Sequence, residues 1–246
     1  MKLNNMEEKY KMFSQPSQFG YDKAAVIFSP DGRIIQVEYA REAVKMGSTA
    51  VGIKTDNCVV LAGQKRAFDL IESSDKVFKI DDHIASTFSG YSADGRALLQ
   101  KARLEAQIER ITYGEVIDPE VLSEKIGDHL QSFTQYGGVR PFGIAILFGS
   151  VYEDDTFLYF IDPGGAIFSC LATAIGANEA AAKEVLNKGY KKNLPLKDVA
   201  QLAVDALKAA SDEDEEGITV QMAVIELDEP EVKILNQDEV DKLLKG

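Results

Sequence analysis

Residues able to act as nucleophiles, bases or metal ligands are few in this chain, and their placement restricts their chemistry. The two cysteines, Cys58 and Cys170, each sit inside an apolar run. A thiol in apolar surroundings keeps its proton and is a weak nucleophile. Both read as buried free thiols, the state expected in a reducing compartment. The two histidines, His83 and His129, lie far apart and outside any Cys/His spacing, so no metal site and no cofactor are expected.

Composition narrows the partners. The 246 residues carry a formal net charge of −13. Nucleic-acid binding needs clustered Lys and Arg against phosphate, so neither nucleic acid nor an anionic membrane surface is an expected partner. Hydrophobic residues make up 45%, enough for a sizeable core. No apolar run approaches the roughly 20 residues of a membrane span. Met1 to Ser17 are polar and charged and do not read as a secretory signal. The expectation is an acidic, soluble, cytoplasmic globular protein.

The elements that must position the remaining polar groups follow from periodicity. Residues 1–20 are rich in Lys, Glu, Asn, Gln and Ser and read as a flexible tail before one domain at 21–246. Asp31-Gly32 after Ser29-Pro30 marks a turn. Val37, Ala40, Arg41 and Val44 share one face of a helix over 34–44, with Gly47 as its terminating glycine. Strands are expected at 49–53, 59–62, 77–80 and 84–88. A helix over 93–112 carries Ala97, Leu104, Ile108 and Ile111 on one stripe. A second starts at the N-cap Asp118 with Pro119 behind it and stops at Gly137-Gly138.

More strands are expected at 142–151, 157–161 and 166–170, with a short one near Thr173. The second of these turns into the third at Asp162-Pro163-Gly164-Gly165. Residues 142–148 are nearly all apolar, as in a strand buried on both faces. Helices at 178–188 and 196–210, a strand at 218–227 and a helix at 238–245 complete the chain. Each helix pair has one apolar stripe and must cover one sheet face. Two stacked sheets with a helix pair outside each satisfy every stripe. The expected class is α+β, a four-layer αββα sandwich.

Several blocks resemble α-type subunits of the proteasome core particle, in their archaeal form. They are Tyr21-Asp22-Lys23-Ala24, Phe28 to Arg33, Gln36 to Ala40, Ala43 to Thr49, Tyr136 to Gly143, Asp162 to Gly165 and Ala174-Ile175-Gly176. That family has the αββα sandwich of N-terminal nucleophile hydrolases. The resemblance implies a non-catalytic member of an outer heptameric ring. Such rings gate the entry of unfolded protein substrates, sit on proteasome β subunits and dock the C-terminal tails of an activator ATPase ring.

The resemblance also implies roles for residues. Lys76 would take the carboxylate of an activator tail in a pocket lined by Gly47 and Gly90. Tyr21, Asp22, Pro30 and Tyr39 would hold the N-terminal tails at the gate. Tyr136, Gly137, Gly138 and Val139 would form the narrow annulus below it. The chain departs from the family pattern in its tail, longer than the simplest archaeal type, and in Lys23, where Arg is usual.

The rival within the fold is a catalytic β-type subunit, cut after Gly47 to expose Ser48 as the nucleophile, with its own amine as base. The β-type acid after the second strand is Gln64 here, and the hydroxyls before the third helix are replaced in Ala174-Ile175-Gly176-Ala177. The late Asp-x-x-Ser-Gly-Gly element has become the acidic run 212–217. Only the lysine persists, as Lys76, and alone it would not activate Ser48. A third reading is a stand-alone amidase of the same superfamily, which would act as a monomer or dimer.

Overall fold

The computed structural model describes residues 27–65, 75–211 and 219–245. The tail at 1–20, Tyr21, Asp22 and the acidic run at 212–217 lie outside these residues. After an isolated bridge between Phe28 and Ile34 come α1 (Ile35–Lys45), β1 (Ala50–Lys54), β2 (Cys58–Lys65), β3 (Val77–Asp81) and β4 (Ile84–Gly90). Helices α2 (Ser92–Tyr113) and α3 (Pro119–Ser132) follow, then β5 (Ile144–Tyr152), β6 (Asp155–Ile161), β7 (Ile167–Ser169) and β8 (Ala172–Ile175). The chain closes with α4 (Glu179–Gly189), α5 (Leu196–Ala209), β9 (Thr219–Glu226), β10 (Glu229–Leu235) and α6 (Gln237–Lys245).

The strands form two antiparallel sheets, ordered β10-β9-β2-β1-β8 and β3-β4-β5-β6-β7. Period-two alternation sorts their side chains into three apolar layers. Val51, Ile53, Val60 and Ala62 face α4 and α5, packing on Ala182, Leu186, Val199 and Leu207. Ile84, Phe88, Ile146 and Phe148 face α2 and α3, packing on Leu98, Leu99, Leu122 and Ile126. Between the sheets, Ala50, Val59 and Leu61 meet Ala85, Leu147 and Leu158. The order is helix pair, sheet, sheet, helix pair, as the stripes require. β5 is buried on both faces, which explains the apolar run Ile144–Phe148 that opens it.

Four expectations are corrected. On α2 the buried face is Leu98, Leu99, Ala102 and Ala106, whereas Leu104, Ile108 and Ile111 are 54%, 43% and 82% exposed. The helix has two apolar stripes, and the one containing the small alanines packs close to the sheet. Helix α3 keeps its Asp118 cap, which accepts from Glu120 N at 2.7 Å, but ends at Ser132 rather than at Gly137-Gly138. β10 was not expected: Glu229, Pro230 and Glu231 are exposed on this edge strand, and Val232 is its one buried residue. Cys58 is buried, but Cys170 is only half-buried. Burial pushes both thiols up from their usual range. Among the described residues no helix is long and apolar enough to cross a membrane.

Candidate functional site

Lys76 stands just before β3 and is fixed by residues far away in sequence. Its backbone N–H donates to Gln221 Oε1 of β9 at 2.8 Å, and Val77 N–H donates to the same oxygen at 3.2 Å. Thr87 Oγ1 of β4 donates to the Lys76 carbonyl at 2.6 Å. The side chain then crosses the end of the sandwich. Its Nζ donates to Phe88 O at 3.0 Å and to Ser48 O at 3.4 Å, and lies 5.6 Å from the centroid of the Phe88 ring. These contacts orient the ammonium into a cavity of about 510 Å³ that Gly47, Ser48 and Gly90 also line.

The structure therefore brings Lys76, Gly47 and Gly90 together. It also gives the two glycines a packing reason. Gly90 has φ 119°, and a Cβ there would collide with Gly143 O. A Cβ on Gly47 would strike Gly90 N and Ser89 Oγ. Gly47 does not have the left-handed backbone of a terminating glycine. Its small size instead lets the end of α1 press against the end of β4, where Ser89 Oγ lies 3.1 Å from Val44 O and 3.0 Å from Ser48 O as donor.

Ser48 lies in this cavity, but its surroundings differ from those of an activated nucleophile. Its nitrogen is in the peptide bond to Gly47, and Lys76 Nζ approaches its carbonyl rather than its hydroxyl. The side chain that β2 supplies at this end is the buried amide of Gln64. Gly47 O accepts from Ala177 N at 2.9 Å. The acid in the described cavity lining is Asp75, whose carboxylate is 3.2 Å from both Lys65 Nζ and Gln221 Nε2.

Of the four gate residues, two are described. Pro30 is exposed in a turn closed by Gly32 N–H to Ser29 O at 2.8 Å, as Ser-Pro-Asp-Gly chemistry favours. Tyr39 is 53% exposed on α1. It lines a separate cavity of about 370 Å³ with Tyr91 and Arg140, and Pro30 is not part of that lining.

The loop at 136–139 projects from the molecule: Tyr136 is 65% and Val139 37% exposed, and a Cβ on Gly137 or Gly138 would meet nothing within 4 Å. Its base is clamped. Arg140 Nη1 and Nη2 donate to the two carboxylate oxygens of Asp94 at 2.6 and 2.9 Å, and Gly143 N–H donates to Asp94 Oδ2 at 2.9 Å. The guanidinium also lies 5.5 Å from the Tyr91 ring centroid. Burial works to raise the Asp94 carboxyl, but the Arg140 and Gly143 donors hold it below the usual carboxylate range.

A second clamp was missed in sequence. Arg41, read as part of an apolar face, donates through Nε and Nη2 to Asp162 Oδ2 at 3.2 and 2.6 Å. Asp162 Oδ1 accepts from Gly164 and Ala166 N–H at 2.9 Å each. Asp-Pro-Gly-Gly is thus a turn that also fastens α1 across the end of the sandwich. A charged residue on a helix face otherwise buried was the available signal. Gln221, which sets the position of Lys76, carried no local signal.

Neither histidine is in the described lining of the Lys76 cavity. His83 is buried, pairs through Nε2 with Ile117 O at 2.8 Å, and is held below its usual range by burial. His129 packs on Phe133 and Phe142. Among the described residues no group of His, Cys, Asp and Glu is placed to hold a metal ion.

Comparison with known proteins follows the same lines. A family model for proteasome subunits matches residues 44–225, and a model for the N-terminal signature of the A-type proteasome subunits matches residues 21–43. The proteasome alpha subunit of Methanosarcina thermophila is 46% identical over 226 residues, covering 91% of this chain and 92% of the relative. That of Methanobrevibacter smithii is 46% identical over 234 residues, covering 94% of each. That of Pyrococcus horikoshii is 46% identical over 232 residues, covering 93% of this chain and 88% of the relative.

Proposed function

The chain belongs to the proteasome α-subunit family, and from that membership we propose that it is a non-catalytic ring subunit that gates the core particle and docks its activator. Membership implies assembly with other proteasome subunits. In this reading residues 21–246 form one domain of a heptameric outer ring seated on β subunits in the cytoplasm. The exposed Leu104, Ile108 and Ile111 stripe supports assembly, because contiguous apolar surface of this kind is usually buried against a partner.

The observation that carries the docking role is the oriented ammonium of Lys76 in a cavity with Gly47 and Gly90. A lysine there suits a terminal carboxylate, as a compact charge with three donors. The same cavity lacks, among the described residues, a β2 carboxylate to pair with the lysine, which supports the non-catalytic assignment. The rest of the machinery follows the family pattern. Tyr21, Asp22, Pro30 and Tyr39 hold the tails at 1–20, and the loop at 136–139 narrows the path to admit unfolded chains.

The gate is tested by deleting residues 2–20. Particles assembled with the shortened chain should hydrolyse a short fluorogenic peptide several-fold faster without activator. An unchanged basal rate would remove the tail from the gate.

A further inference from the structure

The described lining of the cavity that holds Lys76 has a charge opposite to that of the molecule. The whole chain is −13, yet the described lining of this cavity contains Lys76, Arg96 and Arg103 against the one acid Asp75. Asp75 is engaged by Lys65 and Gln221. Arg103 gives its Nε–H to Lys79 O at 3.0 Å, a carbonyl that aims the guanidinium without neutralising it. Arg96 is exposed and makes no hydrogen bond or ion pair to any described residue.

The two arginines are seven residues apart on α2, two turns of helix, and so lie on one face about 10 Å apart along the axis. Leu99 and Gln100, between them, line the same cavity, and Phe78 and Phe88 supply an apolar floor. Ten ångströms is about three residues of extended chain. Because Lys76 lines the same cavity, a peptide that enters it with its end at Lys76 and runs along this face would pass both guanidiniums within about three residues. Each guanidinium is a planar fork matched to a carboxylate.

We propose that this cavity recognises a doubly anionic peptide tail, with the terminal carboxylate at Lys76 and an acidic side chain a few residues upstream on the Arg96–Arg103 face of α2. This rests on the docking role proposed above and adds to it the class of tail preferred. Arg96 is then a specificity residue: it selects among tails that Lys76 alone would not tell apart.

The test is fluorescence anisotropy of labelled eight-residue peptides on the assembled ring. One set ends in a free carboxylate and carries Glu at each position from two to five residues before the end. A second set replaces that Glu by Gln, and a third ends in an amide. Amidation should remove binding. At one or two positions, Glu should bind roughly threefold to fivefold tighter than Gln, the size of a part-exposed ion pair. Arg96→Gln, and separately Arg103→Gln, should erase that preference and keep the sensitivity to amidation. Equal affinity for Glu and Gln at every position, with amidation still abolishing binding, would overturn the second subsite and leave docking at Lys76 standing. Binding indifferent to amidation would overturn both.

Discussion

Lys76→Ala will abolish activator-stimulated peptide hydrolysis by the assembled particle and leave its basal rate and its rings intact. The ammonium is the charge that the structure orients into the cavity, through Phe88 O and Ser48 O. A charged hydrogen bond to a carboxylate contributes roughly 1.5–3 kcal/mol, about tenfold to a hundredfold in the affinity of one tail. In the proposed docking role several tails of one activator would bind together through effective concentration, so a loss repeated around the ring would multiply. Stability should change little. Lys76 is only part-buried, and water can take the place of the ammonium at Phe88 O and Ser48 O. Lys76→Arg keeps a charge but brings a wider fork, so partial stimulation is expected. Full stimulation of the Ala variant in an ATPase-coupled peptide assay would refute docking at this residue.

Gly90→Ala will unfold or prevent assembly of the chain, the largest stability effect expected of any one-methyl change near the site. At φ 119° an L side chain is strained whatever the space around it. Here there is no space, because the new Cβ would collide with Gly143 O. Gly143 cannot retreat cheaply. Its carbonyl accepts from Tyr91 N–H at 2.9 Å, and its own N–H is held by Asp94. Combined strain and broken contacts place the cost above about 4 kcal/mol, in the tail of single-substitution effects and a large part of a total of about 5–15 kcal/mol. Calorimetry should show a fall in Tm on the order of 10 °C or more, or no folded protein. Gly137→Ala is the control, since a Cβ there would meet nothing within 4 Å. A Gly90→Ala protein melting within about 2 °C of the parent would contradict this account of the β4–α2 junction.

The layers of the fold were legible because they depend on local periodicity. The apolar faces of α3 and α5 and the alternation along β1 and β2 can each be read in a short window, and two helix pairs with one stripe each leave few ways to stack. Where a window contained two patterns, the reading failed. α2 has one stripe for the sheet and one facing outward, and nothing local says which is which. β10 escaped because its exposed Glu229-Pro230-Glu231 start and its single buried residue, Val232, do not resemble a strand with a core face.

The site was legible as residues and not as geometry. The resemblance picked out Lys76, Gly47 and Gly90, and the structure places them around one cavity. It could not give the clamps that build the region. Arg41 meets Asp162 across 121 positions, and Lys76 meets Gln221 across 145. Such partners are chosen by the tertiary fold, and composition or spacing does not encode them. Gly47 shows the same limit: its type was noticed as a helix end, but its reason is the backbone of β4 lying against it.

The central claim is a ring subunit that keeps Ser48 behind an uncut segment. Native mass spectrometry of the chain assembled with a proteasome β subunit tests it most directly. The account predicts outer rings of seven copies, each retaining residues 1–47 and so at the 27.0 kDa of these 246 residues. Chains shortened by residues 1–47, or a monomer or dimer that hydrolyses peptides on its own, would contradict it.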